Sequence, residues 1–242
     1  MHAALLMAIA LVLSTCIQSC TPSVQTESNQ AVSLPTEAVV AIPALQLSDR
    51  MNSHQALAVP RMLAHSQKYS RASIEQMCKR QPTIAWCPEG IRQTDTSMLP
   101  IKEIREIGTS AYSHFIYARE KEDLWFDRSY EADLGIKWYG DCDDITTTTL
   151  SRLHAAGQPL DKMWMLLVDI DRKELIDHIV GVVQDDLGQF WVVGDTSKRR
   201  HTYPLHSMKY RPMIIARMDN PTNWQAVTQS TVMQGFPLVL AR

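Results

Sequence analysis

One cysteine of this 242-residue chain stands among carboxylates, in Gly140-Asp141-Cys142-Asp143-Asp144, where a helix-patterned segment begins. A histidine follows at His178 and an aspartate at Asp195, each bordering an apolar run of strand character. That order suits nucleophilic acyl chemistry: the thiol attacks, the imidazole takes its proton, and the carboxylate fixes the imidazole tautomer. A thiol reacts as its thiolate, which a helix N-terminus favours through its dipole and N–H groups. Asp141, Asp143 and Asp144 work against it, because three nearby negative charges oppose a fourth. A compensating cation is needed. His178 as imidazolium is one candidate, and a metal ion gripped by the aspartates is another, with hard oxygen donors favouring calcium over zinc.

The elements that must position these groups are legible around them. A helix is expected from Cys142 to about Ala156, with Ile145, Thr149, Leu153 and Ala156 on one face and Gly157 as its stop. Thr146 to Thr149 are poor helix formers, so tertiary packing must hold that turn. Met163 to Asp169 reads as a strand, and His178 to Val183 with Gln189 to Val193 as a hairpin across Asp185–Gly188. Met213 to Ala216 and Pro237 to Ala241 are further strands. Upstream, Pro100 to about Glu122 carries helical spacing through Ile101, Ile104, Ala111 and Phe115, with His114 as a structural residue beside the stripe. Trp125 to Tyr139 is irregular and aromatic, suited to a cleft wall, and Trp138 or Tyr139 lies near enough to Cys142 to supply an oxyanion donor. His201 and His206 fall in a polar loop and are expected to face solvent.

The rest of the chain concerns delivery. A net charge of −2 with no basic block argues against nucleic acid or an anionic membrane surface as the partner. Residues 3–13 (AALLMAIALVL) are too short to span a bilayer, and they lead into small and polar residues. Residues 1–20 therefore read as a secretory signal segment, which makes the protein periplasmic or otherwise exported. Cys16 and Cys20 each loosely match the acylated cysteine of a lipobox, so a lipid anchor and free release both fit; membrane contact would come only through that anchor. Residues 21–54 are rich in Ser, Thr, Pro, Gln and Ala and read as a flexible linker ahead of one folded domain over 55–242. That domain opens with helical pattern to about Arg80, divided in two at Ser70-Arg71-Ala72-Ser73 with Ser73 capping the second helix. Cys78 and Cys87 bracket a short loop, and in an exported chain such cysteines pair, leaving Cys142 as the unpaired one.

Gly-Asp-Cys-Asp-Asp at a helix start, a histidine opening HIVGVV and an aspartate closing FWVVGD together resemble the bacterial transglutaminase-like cysteine proteinases. These are the LapG-type periplasmic proteases that clip large surface adhesins. The similarity covers roughly residues 98–220, including Tyr210-Arg211-Pro212, and Asp195-Thr196 stands where the family usually has Asp-Asn. The resemblance implies an α+β fold with a papain-like, transglutaminase-type core, N-terminal helices preceding a largely antiparallel sheet. It implies Cys142 as nucleophile, His178 as base, Asp195 as orienter, and a calcium site with Asp141 and Asp143 as ligands. It further implies a protein substrate at the cell envelope and leaves room for a membrane-bound regulator. A transglutaminase- or amidase-type acyl transferase would use the same triad. A catalytically silent binding module would keep the fold alone, and the intact Cys–His–Asp set argues against it. No Cys-x-x-Cys, His-Glu-x-x-His or glycine-rich phosphate loop occurs, which leaves zinc-enzyme and nucleotide-binding readings without a motif.

Overall fold

The apolar runs between residues 163 and 217 pair with one another in this computed structural model, which describes residues 53–120, 124–171, 176–197 and 201–233. The helices are α1 (Ser53–Arg80), α2 (Ile101–Tyr112), α3 (Ser129–Asp133), α4 (Cys142–Ala155) and α5 (Gln229–Met233). The strands are β1 (Phe115–Tyr117), β2 (Trp138–Gly140), β3 (Met163–Asp169), β4 (His178–Gln184), β5 (Phe190–Val193), β6 (Tyr203–Pro204), β7 (Arg211–Arg217) and β8 (Gln225–Ala226). Six of them form an antiparallel sheet in the order β6-β5-β4-β3-β7-β8, while β1 and β2 make a separate parallel pair. The architecture is a mixed α+β one with a largely antiparallel sheet, and the described residues all belong to one compact unit, 47–242.

Every residue of β3 is buried, so its two faces serve two cores. Met163, Met165 and Leu167 point to one side with Ile179, Val193 and Ile214, against Ile74 and Met77 of α1, Ile104 of α2 and Leu150 and Leu153 of α4. Trp164, Leu166 and Val168 point to the other, with Val180, Val192, Leu205, Tyr210 and Ile215. The period-two alternation of a strand sorts the side chains, and burial on both faces explains the near-continuous apolar runs.

α4 forms despite its threonines. Thr146, Thr147, Thr148 and Thr149 are all buried between the sheet, α2 and the segment before α3, so tertiary contact outweighs weak propensity there. Thr148 Oγ1 accepts the Arg128 N–H at 2.8 Å, tying the helix to the aromatic segment. Gly194, just past β5, shows the tightness of the fit: its φ is +71°, and a Cβ there would meet Thr146 Cα at 2.8 Å. Gly194→Ala is expected to cost about 2–4 kcal/mol from backbone strain plus overpacking. Urea unfolding checks this, and an unchanged midpoint would remove the packing account.

Several expectations need correction. α1 is one continuous helix, because Ser70 and Ser73 are buried on its core side and the Ser73 hydroxyl bonds back to the Tyr69 carbonyl (3.2 Å) instead of capping a second helix. It begins at Ser53, within the segment assigned to the linker. α2 ends at Tyr112, ten residues early, because Phe115-Ile116-Tyr117 pairs with β2 as a strand. Ala156 is exposed just beyond α4. Cys78 and Cys87 form the expected disulfide, and among the described residues Cys142 is the cysteine outside a disulfide. The signal segment, Cys16, Cys20, the linker up to residue 52 and the strand at Pro237–Ala241 lie outside the described residues. No helix among the described residues is long and apolar enough to cross a membrane.

Candidate active site

His178 opens β4 and Asp195 follows β5, and the antiparallel hairpin brings the two to the same end of the sheet. His178 Nε2 lies 3.0 Å from Asp195 Oδ1, and both side chains are buried. With Asp195 ionised the bridging proton belongs to Nε2, so in the neutral imidazole Nδ1 keeps the lone pair.

Cys142 is the first residue of α4 and half-buried. The packing of α4 on the hairpin fixes where that residue stands. Thr146 Oγ1 is 3.3 Å from the carbonyls of both Ile179 and Gly194, the neighbours of His178 and Asp195 in sequence. One turn on, Leu150 lies against Gly181, where a Cβ would meet Leu150 Cδ2 at 3.1 Å. The helix therefore runs alongside β4 in the same direction. Followed back one turn, about 6 Å at 1.5 Å per residue, it takes Cys142 to the His178 end of the hairpin. The direct pair is His178–Asp195, and Cys142 stands at the start of the helix that packs beside it.

Asp195 is held by more than the histidine. Its Oδ1 also accepts the Ser197 N–H (2.9 Å) and hydroxyl (2.8 Å), and its Oδ2 accepts the hydroxyls of Tyr203 (2.6 Å) and Tyr210 (3.0 Å). Burial alone would raise this carboxyl, but the bonds from His178, Tyr203 and Ser197 outweigh it and hold Asp195 well below the usual carboxylate range. Tyr203 is raised by burial and by the Asp195 charge, and Tyr210 is pushed up to about 12, first by burial and then by Asp195. Both phenols stay protonated and donate. Ser197, Tyr203 and Tyr210 were not singled out from sequence; the one signal was Tyr210 within the Tyr210-Arg211-Pro212 run.

His201, expected to face solvent, is half-buried. Its ring stacks on Tyr112 with centroids 3.3 Å apart, and its Nδ1 lies 3.3 Å from the Asp195 carbonyl. Burial lowers its pKa, which fits a neutral ring donating that N–H. His206 is exposed. Trp138 is buried with Ala111 and Ile145 beneath the site, and Tyr139 is exposed on the opposite side of β2.

The acidic cluster divides its labour. Asp141 is the N-cap, accepting the Asp143 N–H at 3.4 Å, and Asp144 reaches back to the Asp141 N–H at 3.3 Å to complete a capping box. Asp144 is fully buried, and burial pushes its carboxyl up to about 7 even though the Phe126 N–H it accepts (2.7 Å) pulls the other way. Near neutral pH it is thus partly uncharged, and fewer than three full charges oppose the thiolate. Residue 140 must be glycine, since a Cβ there would run into the Asp144 carboxylate. Asp141, Cys142 and Asp143 offer ligand atoms all within 4.8 Å of one another. Two converging carboxylates are hard donors that fit calcium, and the thiol is a soft one that does not.

No family model and no curated protein matches this sequence. Among solved structures, calcium-bound LapG of Legionella pneumophila is similar with TM-score 0.39 and 18% identity, over 49% of this chain and 66% of that one. Legionella pneumophila LapG is similar with TM-score 0.39 and 16% identity, over 74% of this chain and 92% of that one. In the first of these the chain spans just under two thirds of the other's length.

Proposed function

We propose that this chain is a thiol peptidase in which Cys142 is the nucleophile, His178 the general base and Asp195 the orienting carboxylate. The observation that carries the reading is the buried His178–Asp195 pair, fixed by further donors at the end of the hairpin against which the first turns of α4 pack. His178 Nδ1 takes the proton of the Cys142 thiol, and the thiolate attacks the scissile carbonyl carbon. The imidazolium then protonates the departing amine, leaving a thioester on Cys142. Water, deprotonated by the same nitrogen, releases the acid and restores the thiol. Asp195 stays ionised throughout and stabilises the imidazolium without accepting its proton.

Asp141 and Asp143 would hold calcium, whose positive charge offsets the cluster beside the thiolate. The substrate is a protein of the cell envelope, a surface adhesin being the class that the sequence resemblance implies, under a membrane-bound regulator. An export-type segment at residues 3–13 and the Cys78–Cys87 disulfide support the periplasmic setting.

The test incubates the full chain with a bacterial cell-envelope protein fraction and calcium, beside Cys142→Ala, and reads new protein termini by mass spectrometry. New N-termini in the wild type alone are expected. Deamidated or cross-linked glutamines in their place would establish an acyl transferase, and no Cys142-dependent product of either kind would defeat the catalytic reading.

A further inference from the structure

Six large apolar side chains that face solvent stand in one stretch of chain. They are Ile116, Tyr117, Tyr130, Leu134, Ile136 and Tyr139, from 36% to 74% exposed, on β1, α3, β2 and the loop between the last two. Single exposed apolar residues are ordinary, but a cluster marks a docking surface. Two of the six adjoin in the β1–β2 pair, where Ile116 lies directly beside Tyr139 on the outer face while Phe115 and Trp138 pack ring to ring on the inner one (4.8 Å).

This pair also has an open edge beside the thiol. The Trp138 N–H donates to His114 O (3.0 Å) and the Ala118 N–H to Gly140 O (2.8 Å). In a parallel ladder those bonds assign residues 138 and 140 to the β1 side and turn the N–H and C=O of Tyr139 away from it. Among the described residues β2 has no second strand neighbour. Tyr139 precedes Cys142 by three residues, which span at most about 10 Å. Tyr117 is near enough to the Cys142 and Asp141 charges for them, after burial, to raise its phenol.

We infer that the outer edge of β2 is the docking strand for the substrate: an extended, apolar or aromatic polypeptide segment adds beside it and exchanges main-chain hydrogen bonds with Tyr139. Tyr139, with Ile116 beside it on the outer face, contacts alternate side chains of the segment, which lies about 4.8 Å from β2 and runs on toward the thiol. An unpaired edge selects an extended main chain over a helix or a small molecule, and the apolar cluster selects the side chains. The inference rests on the peptidase reading for its occupant, while the docking itself can be measured without turnover.

The probe is a fluorescein-labelled, proline-free nonapeptide of alternating valine and threonine, titrated by anisotropy into the full chain carrying Cys142→Ala. Saturable binding is expected, weakened at least tenfold when alternate peptide amides are N-methylated. The same loss is expected in Ile116→Ser/Tyr139→Ser, with native circular dichroism showing that the variant is folded. Absence of binding, or equal binding by the N-methylated peptide or by the double variant, overturns the inference. Cys142-dependent cleavage of envelope proteins that persists unchanged in the double variant also overturns it while leaving the peptidase intact. Binding with these losses but no cleavage by the wild type upholds the docking edge and removes the peptidase reading instead.

Discussion

His178→Ala is expected to lower kcat at least about 10³-fold while the chain still folds, since the base supplies proton transfer that water replaces poorly. Asp195→Asn is expected to cost about 10²–10⁴-fold, for a different reason. Asp195 accepts from His178, Ser197, Tyr203 and Tyr210, so an amide in its place must turn an NH₂ toward one set of donors. The imidazole then loses its fixed tautomer or its fixed orientation, yet the thiol remains. Asp195→Asn has a signature in stability as well. Asp195 is held below the ordinary carboxylate range, so its contribution is present above about pH 4 and fades as pH falls through the lower folded value. Urea unfolding should therefore find Asp195→Asn less stable than wild type at pH 7, with the gap narrowing as the buffer is made strongly acidic. A gap that widens toward acid would contradict the depressed carboxyl, and full turnover in either variant would sink the triad.

What the sequence made legible was mostly local. The helix from Cys142, the strand at Met163–Asp169 and the hairpin carrying His178 and Asp195 lie where periodicity and turn residues put them. The pairing of Cys78 with Cys87 followed from compartment and proximity. The misreadings share a physical cause: long-range pairing overrode a local pattern. Phe115 fits the stripe of a helix as well as a strand, and only Trp138, far along the chain, decides between them. Ser70 and Ser73 look like punctuation, but burial against the core makes them interior positions of α1. The donors around Asp195 come from a loop, a two-residue strand and the approach to β7, with no shared spacing, so no motif could have gathered them. His201 looked solvated for the same reason, its partner Tyr112 belonging to a helix far earlier in the chain.

Chelation of calcium is expected to lower both the melting temperature and kcat/KM, and added calcium to restore them. Asp141 and Asp143 lie with the Cys142 thiol inside 4.8 Å, so forming the thiolate adds a charge where two carboxylates already stand. The α4 dipole offsets only ~0.3–1 kcal/mol of that repulsion near the surface. A divalent cation at a hundredfold excess over its Kd contributes about 2.7 kcal/mol, roughly 5–10 °C in a domain of this size. The competing account makes Asp141 a helix cap and nothing more, and substitution separates the two. Asp141→Asn keeps a carbonyl acceptor for the Asp143 N–H but removes the charge, so the calcium-free melting temperature should hold while the calcium-dependent rise is lost. Asp143→Ala should lose the same rise. Asp144 offers an independent reading, because its carboxyl sits at about 7 through burial, and a cation on its neighbours favours the ionised form. Calcium binding near pH 7 should then release a fraction of a proton, seen as a binding heat that varies with the ionisation enthalpy of the buffer. Titration calorimetry with no calcium heat for the folded wild type would end the metal site. The triad would survive that result, because His178 and Asp195 are held by bonds that involve no cation.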